Sequence, residues 1–161
     1  MGISTYGDPA LRRAAEPVGE IDDEIRSICE RMVEEMIRAD GAGLAAPQIG
    51  ISKRIIVLDA DGEFHILINP ELLSVSEDVE EVVEGCLSVP GVSSAVPRSV
   101  EATITGTTLD GERVTLTGRG LFARAMQHEM DHLNGHLFLD HLTPAKRQSL
   151  LKEYARNRET A

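Results

Sequence analysis

Apolar residues recur along this chain in two rhythms, and the change from one to the other marks out its elements. From Ile25 through Ile28, Cys29, Met32, Val33 and Met36 to Ile37 the spacing alternates between three and one, which keeps these side chains on one helical face. Asp22 and Asp23 suit the N-terminus of that helix, where carboxylates meet free backbone N–H groups, and Asp40-Gly41 ends it. Ile55-Ile56-Val57-Leu58 and Phe64-His65-Ile66-Leu67-Ile68 read as strands joined by a turn at Asp61-Gly62. A second pair, Val100 to Leu109 and Arg113 to Leu116, folds about Asp110-Gly111. Gly118-Arg119-Gly120 then introduces a helix with Leu121, Ala125, His128 and His132 on one face, which predicts a central, largely buried element. Thr143-Pro144 supplies an N-cap and a first-turn proline for a last helix reaching about Arg158. The pattern predicts an α+β fold, with small antiparallel or mixed sheets around a central helix and further helices near the N- and C-termini.

Composition narrows this picture. At 161 residues and 42% hydrophobic content, a single domain over 1–161 with one core is expected, and no repeat, low-complexity tract or linker interrupts it. Tryptophan is absent and aromatics make up 3%, so aliphatic side chains must fill that core. Met1-Gly2-Ile3-Ser4-Thr5-Tyr6 has neither the basic flank nor the apolar run of a signal peptide, and Tyr6 stands where a myristoylation signal needs Ser or Thr. No stretch approaches membrane-spanning length, so the cytoplasm is the expected location and no membrane partner is expected. A net charge of −11 disfavours broad nucleic-acid binding. Of the two cysteines, Cys29 lies on the first helical stripe and reads as a buried small hydrophobe rather than half of a disulfide.

The candidate chemistry sits in His128-Glu129-Met130-Asp131-His132. Two imidazoles four apart lie above one another on a helix, and a carboxylate beside the first can reach the space where water would meet a bound metal. A third ligand has to come from elsewhere. A metzincin-like site would place it at position 138, where Phe138 cannot bind a metal. A thermolysin-like site would take a carboxylate from a later helix, with Glu153 as candidate, which would suit a small endopeptidase. A thiolate from Cys86, within Glu84-Gly85-Cys86-Leu87-Ser88, is the other route, the cysteine lying between a glycine and residues that read as the start of an extended segment. A closed, non-catalytic metal-binding module is a further reading, although it has no use for Glu129.

Three segments together resemble the peptide deformylase family: Gly41-Ala42-Gly43-Leu44-Ala45-Ala46-Pro47-Gln48, Glu84-Gly85-Cys86-Leu87-Ser88 and Gln127-His128-Glu129-Met130-Asp131-His132. The likeness extends through Gly7-Asp8-Pro9-Ala10-Leu11-Arg12 and Val96-Pro97-Arg98, and so covers nearly the whole chain. It implies one divalent metal ion per chain on Cys86, His128 and His132, ferrous iron (Fe2+) in the cell, with zinc, nickel or cobalt also accommodated. It further implies hydrolytic removal of the N-formyl group from the initiator methionine of nascent polypeptides, with Glu129 as general base and then acid. The side-chain amide of Gln48 and the backbone N–H of Leu87 are implied as donors to the developing oxyanion.

Around these residues the expected substrate contacts are Gly43 and Gly85, where backbone can approach an extended peptide, and an apolar methionine pocket walled by Val82, Leu121 and Ala125. Arg124 is expected to border that pocket through its aliphatic stem. Asp131 is a candidate partner for Arg98, while His65, His136 and His141 read as structural or solvated. The basic end of the last helix, with Lys146, Arg147, Lys152, Arg156 and Arg158, is a candidate docking end for the ribosome, where a nascent substrate emerges.

Overall fold

Helix α1, Asp23–Arg38, starts where Asp22 accepts a hydrogen bond from the Ile25 backbone N–H at 3.0 Å, the cap its position predicts. Ile25, Ile28, Cys29, Met32 and Met36 are buried along one face, but Ile37 is 57% exposed, and Glu35, tied to Arg38 at 3.0 Å, takes the buried place instead. The helix stops where Asp40 turns left-handed at φ 55° and Gly41 donates back to the Met36 carbonyl. The computed structural model describes residues 2–159; Met1, Thr160 and Ala161, and with them the ends of the expected 1–161 domain, lie outside the described residues.

The architecture is α+β, as the patterning predicts. Strands β1 (Gly43–Ala45), β2 (Ile55–Ala60), β3 (Glu63–Val75), β6 (Glu101–Thr107) and β7 (Arg113–Arg119) form an antiparallel sheet in the order β1-β2-β3-β6-β7. Strands β4 (Val79–Cys86) and β5 (Val89–Ser99) form a separate two-stranded sheet. Helix α2, Gly120–Leu133, packs on one face of the larger sheet while α1 covers the other. Strand β2 shows why: Ile55, Ile56, Val57 and Leu58 are all fully buried, with Ile56 and Leu58 joining the α2 cluster and Ile55 and Val57 the α1 cluster. Helix α3, Pro144–Glu159, is capped by Thr143 Oγ1, which accepts from the Lys146 N–H, and buries Leu150 and Tyr154 in a third cluster with β5. No helix among the described residues is long and apolar enough to cross a membrane.

Two differences from the patterning have clear causes. Strand β3 runs on to Val75 past Pro70, because register shifts on either side of Glu71 and Leu72 absorb the missing N–H and Asn69 sits at φ 50°. The β4–β5 hairpin gives little periodic signal because β4 is exposed along most of its length; Cys86 closes that strand, and the next extended segment opens at Val89. Leu121 also departs from its predicted stripe. It is 73% exposed in the first turn of α2, whereas Ala123, Ala125, Met126, His128, Met130, His132 and Leu133 are buried.

Gly135 ends the metal-candidate helix at φ +79°, and a Cβ added there would stand 2.7 Å from the Arg12 carbonyl oxygen, an atom that backbone constrains. Replacing Gly135 with Ala should cost about 1–3 kcal/mol in urea unfolding, from positive-φ strain together with that contact.

Candidate metal centre and active-site cavity

Helix α2 and the β4 end of the hairpin meet so that Cys86 Sγ lies 3.3 Å from His132 Nε2, while His132 Nε2 lies 3.2 Å from His128 Nε2. One helical turn separates the two histidines and puts both Nε2 atoms on the hairpin side. All three ligand atoms lie within 4.8 Å of one another, forming a group that could hold a metal ion. Two N–H groups cannot face each other at 3.2 Å, so at least one ring presents a bare lone pair. Zinc-type bond lengths in tetrahedral geometry would set N···N near 3.3 Å and S···N near 3.6 Å, close to these separations. The donor set therefore fits a borderline divalent ion. Glu153, the runner-up for third ligand, is exposed on α3 and outside this group, which contains the expected Cys86 instead.

Glu84 settles which nitrogen of His128 faces the group. Its Oε2 lies 2.6 Å from His128 Nδ1, so that nitrogen carries a proton toward the carboxylate and Nε2 turns toward the group. Arg98 donates to both Glu84 oxygens, at 3.1 and 2.7 Å, and through Nη1 to Asp131 Oδ2 at 2.7 Å. Thus Asp131 pairs with Arg98, and His141 Nε2 meets the same Asp131 oxygen at 2.8 Å, away from the ligand group. Burial pushes the Glu84 carboxyl up, but the hydrogen bonds and charges of His128 and Arg98 outweigh it and hold the value down to about 2.

Glu129, 4% exposed, faces the group from the other side, and its Oε1 has no protein partner. Burial raises its carboxyl to about 7 against the pull of His128. Gly43 makes this position possible, since a Cβ there would stand 2.8 Å from Glu129 Oε2. Gln48, 1% exposed, accepts from the Ala45 N–H through Oε1, which turns its Nε2 toward Ser88 Oγ at 3.1 Å and Cys86 Sγ at 3.8 Å. The Ser88 backbone N–H also points at that sulfur, at 3.4 Å.

A cavity of about 690 Å³ opens over the group, and its lining includes Gly43, Gln48, Val82, Gly85, Leu87, Leu121, Arg124, Ala125 and Glu129. Every cavity residue expected from sequence thus reaches it, though Leu121 does so as an exposed rim residue and Gly85 leaves ordinary space, since a Cβ added there would stand 3.5 Å from the Val92 carbonyl oxygen. Arg124 borders the cavity as expected, and its charged end turns inward. Its guanidinium does not reach solvent beyond an aliphatic stem but is buried against backbone carbonyls. Sequence reasoning gave Glu84 and Ser88 no role. The usable signal was that residues two apart in a strand share a face, which puts Glu84 beside Cys86 once β4 is known to be a strand.

The geometry first defines a class: an α+β protein whose buried Cys, His and His atoms could hold an ion beneath a cavity large enough for part of a peptide. The sequence model described as polypeptide deformylase matches residues 1–148. The peptide deformylase of Hamiltonella defensa is 46% identical over 156 residues, covering 95% of this chain and 91% of that one. That of Natranaerobius thermophilus is 46% identical over 139 residues, covering 86% of this chain and 89% of that one. The crystal structure of a peptide deformylase from Legionella pneumophila superposes with a TM-score of 0.93 at 38% identity, covering 98% of this chain and 95% of that one. One from Synechococcus elongatus in complex with actinonin gives 0.90 at 41% identity, covering 95% and 85%. The chain belongs to the polypeptide deformylase family and is an enzyme of that family.

The Glu84 linkage sets a testable sign. A carboxyl lowered from 4.5 to about 2 contributes stability that is fully present above pH 4.5 and is lost as the pH falls toward 2. Glu84→Gln should therefore flatten the acid limb of stability between those values in denaturant titrations, and should weaken divalent-metal binding about 10–100-fold.

Proposed function

We propose that this enzyme removes the N-formyl group from the initiator methionine of nascent polypeptides using one divalent ion held by Cys86, His128 and His132. Family membership supports the substrate class. The observation that carries the mechanism is the buried Glu129 carboxylate, one oxygen unpartnered, beside three converging ligand atoms under the cavity. Ferrous iron is the ion proposed for the cell, and the same thiolate and imidazole donors accept zinc, nickel or cobalt. A closed structural site would call for a fourth protein ligand, whereas the group among the described residues comprises three.

When bound, the ion supplies Lewis acidity, polarising the formyl oxygen and making water easier to deprotonate. Glu129 takes the proton from the attacking water as the C–O bond forms. With its carboxyl raised to about 7 by burial, it can also return that proton to the amine nitrogen as the C–N bond breaks. The products are formate and a free methionyl amine. Gln48 Nε2 and the Leu87 backbone N–H are the proposed donors to the negative charge that collects on the formyl oxygen. Formyl carries only hydrogen on its carbonyl carbon, so a tight site can admit it and exclude the methyl group of an acetyl.

An extended peptide pairs along the β4 edge, with Gly85 beside it and the methionine side chain directed among Val82, Leu121 and Ala125. We place this activity in the cytoplasm and in a single domain. Docking of α3 at the ribosome exit would rest chiefly on exposed Lys146 and Lys152. Arg147 is engaged with the carbonyls of Leu139, Asp140 and Leu142, and Arg158 lies over the Tyr154 ring.

Protein prepared without oxygen and assayed for metal should turn over formyl-Met tripeptides and leave the acetyl-Met equivalents intact; equal turnover of both would defeat the proposal. Glu129→Gln should lower kcat about 10²–10⁴-fold with metal content unchanged. Gln48→Ala should cost about 10²–10³-fold in kcat, measured on the same peptide series.

A further inference from the structure

Strand β4 lines the cavity and ends in Cys86, yet its apolar side chains do little to hold it in place. Of its 8 residues only Glu84 and Cys86 are even partly buried, and Val79 and Val83 are 61% and 68% exposed. Its pairing partner is β5, and the two strands form a sheet separate from the main one. Apolar burial therefore cannot fix where the substrate-facing strand lies relative to the helix that carries His128 and Glu129.

Arg124 supplies a tie of another kind. It lies on α2 one turn before His128, is 8% exposed, and its guanidinium reaches across the hairpin. Nη1 donates to the Glu80 carbonyl at 3.0 Å, and Nη2 is shared among the Val82 carbonyl at 3.1 Å, the Val96 carbonyl at 2.6 Å and Glu84 Oε1 at 3.3 Å. Glu80 and Val82 belong to β4, and Val96 is the register partner of Val82 in β5. One planar cation thus joins both strands of the hairpin to the helix, and it shares Glu84 with His128. Arginine suits this position because its rigid fork offers several donors at once, whereas a lysine ammonium is a single compact point.

We propose that Arg124 is a positioning residue that holds the peptide-pairing strand β4 in register with α2, so that it governs substrate binding more than the chemical step. The kinetic part rests on the deformylase reading; the structural part does not. The two uses of the side chain separate in one variant, because Arg124→Met keeps the apolar stem and removes the fork.

Steady-state kinetics on a formyl-Met tripeptide should show KM raised at least tenfold by Arg124→Met, with kcat within about threefold of the parent. Hydrogen exchange should quicken at the amides of residues 79–86 and not in the main sheet. Arg124→Lys keeps the charge and should recover KM only in part, and it carries the test if the Met variant does not fold. Unchanged KM together with unchanged exchange in 79–86 overturns the proposal, as does full recovery by Lys or a loss confined to kcat. If the parent protein shows no deformylation, the exchange comparison still decides whether Arg124 holds the strand, which separates failure of this inference from failure of the functional reading.

Discussion

The Glu84 carboxylate is the point on which the site turns. It is buried and would be costly to ionise alone, but it is met by the His128 ring and by the guanidinium groups of Arg98 and Arg124. Asp131 then meets the far side of Arg98, so two carboxylates and two guanidinium groups balance without net charge. A buried network of this kind is weak ground for claiming stability, because hydrophobic replacements can stabilise as much. Its strength lies in orientation. It joins β4, β5 and α2, sets the His128 tautomer, and brings Cys86 to two imidazoles that belong to a different element.

Close packing completes what the charges arrange. The helix carrying His128 and His132 is buried on both sides of its motif by Ala123, Met126, Met130 and Leu133, which lock its rotation against the sheet. Gly43 brings the short edge strand β1 against the Glu129 carboxylate, and Gln48, in the turn that follows, is held by the Ala45 N–H so that its amide nitrogen faces Ser88 and Cys86. His128 and Gln48 are each held by a second contact of their own, and a site that must align a proton acceptor with a reacting carbon needs that support.

Much of this was readable in the chain. The stripe from Ile25 to Met36, the turns at Asp61-Gly62 and Asp110-Gly111, and the proline start of α3 are local signals whose physics operates within a few residues. The HExxH spacing needed only helix geometry. What failed to show was non-local. Strand β4 is acidic and exposed along most of its length, so it carries no alternation, and the run of β3 through Pro70 depends on bulges that its partner strand accommodates.

The sequence by itself determined the α+β class, the helix that carries two candidate ligands and a carboxylate within about one turn, and, through three separated motifs, the family. Only the tertiary structure showed the Cys86 sulfur, which the motifs implied, lying beside the two imidazoles, Glu84 holding the first imidazole, and Arg124 lining the cavity while spending its charge on strand carbonyls. Periodicity reports which face of an element turns inward. Which groups from distant elements meet there depends on how sheets, hairpin and helix pack, and no local spacing carries that information.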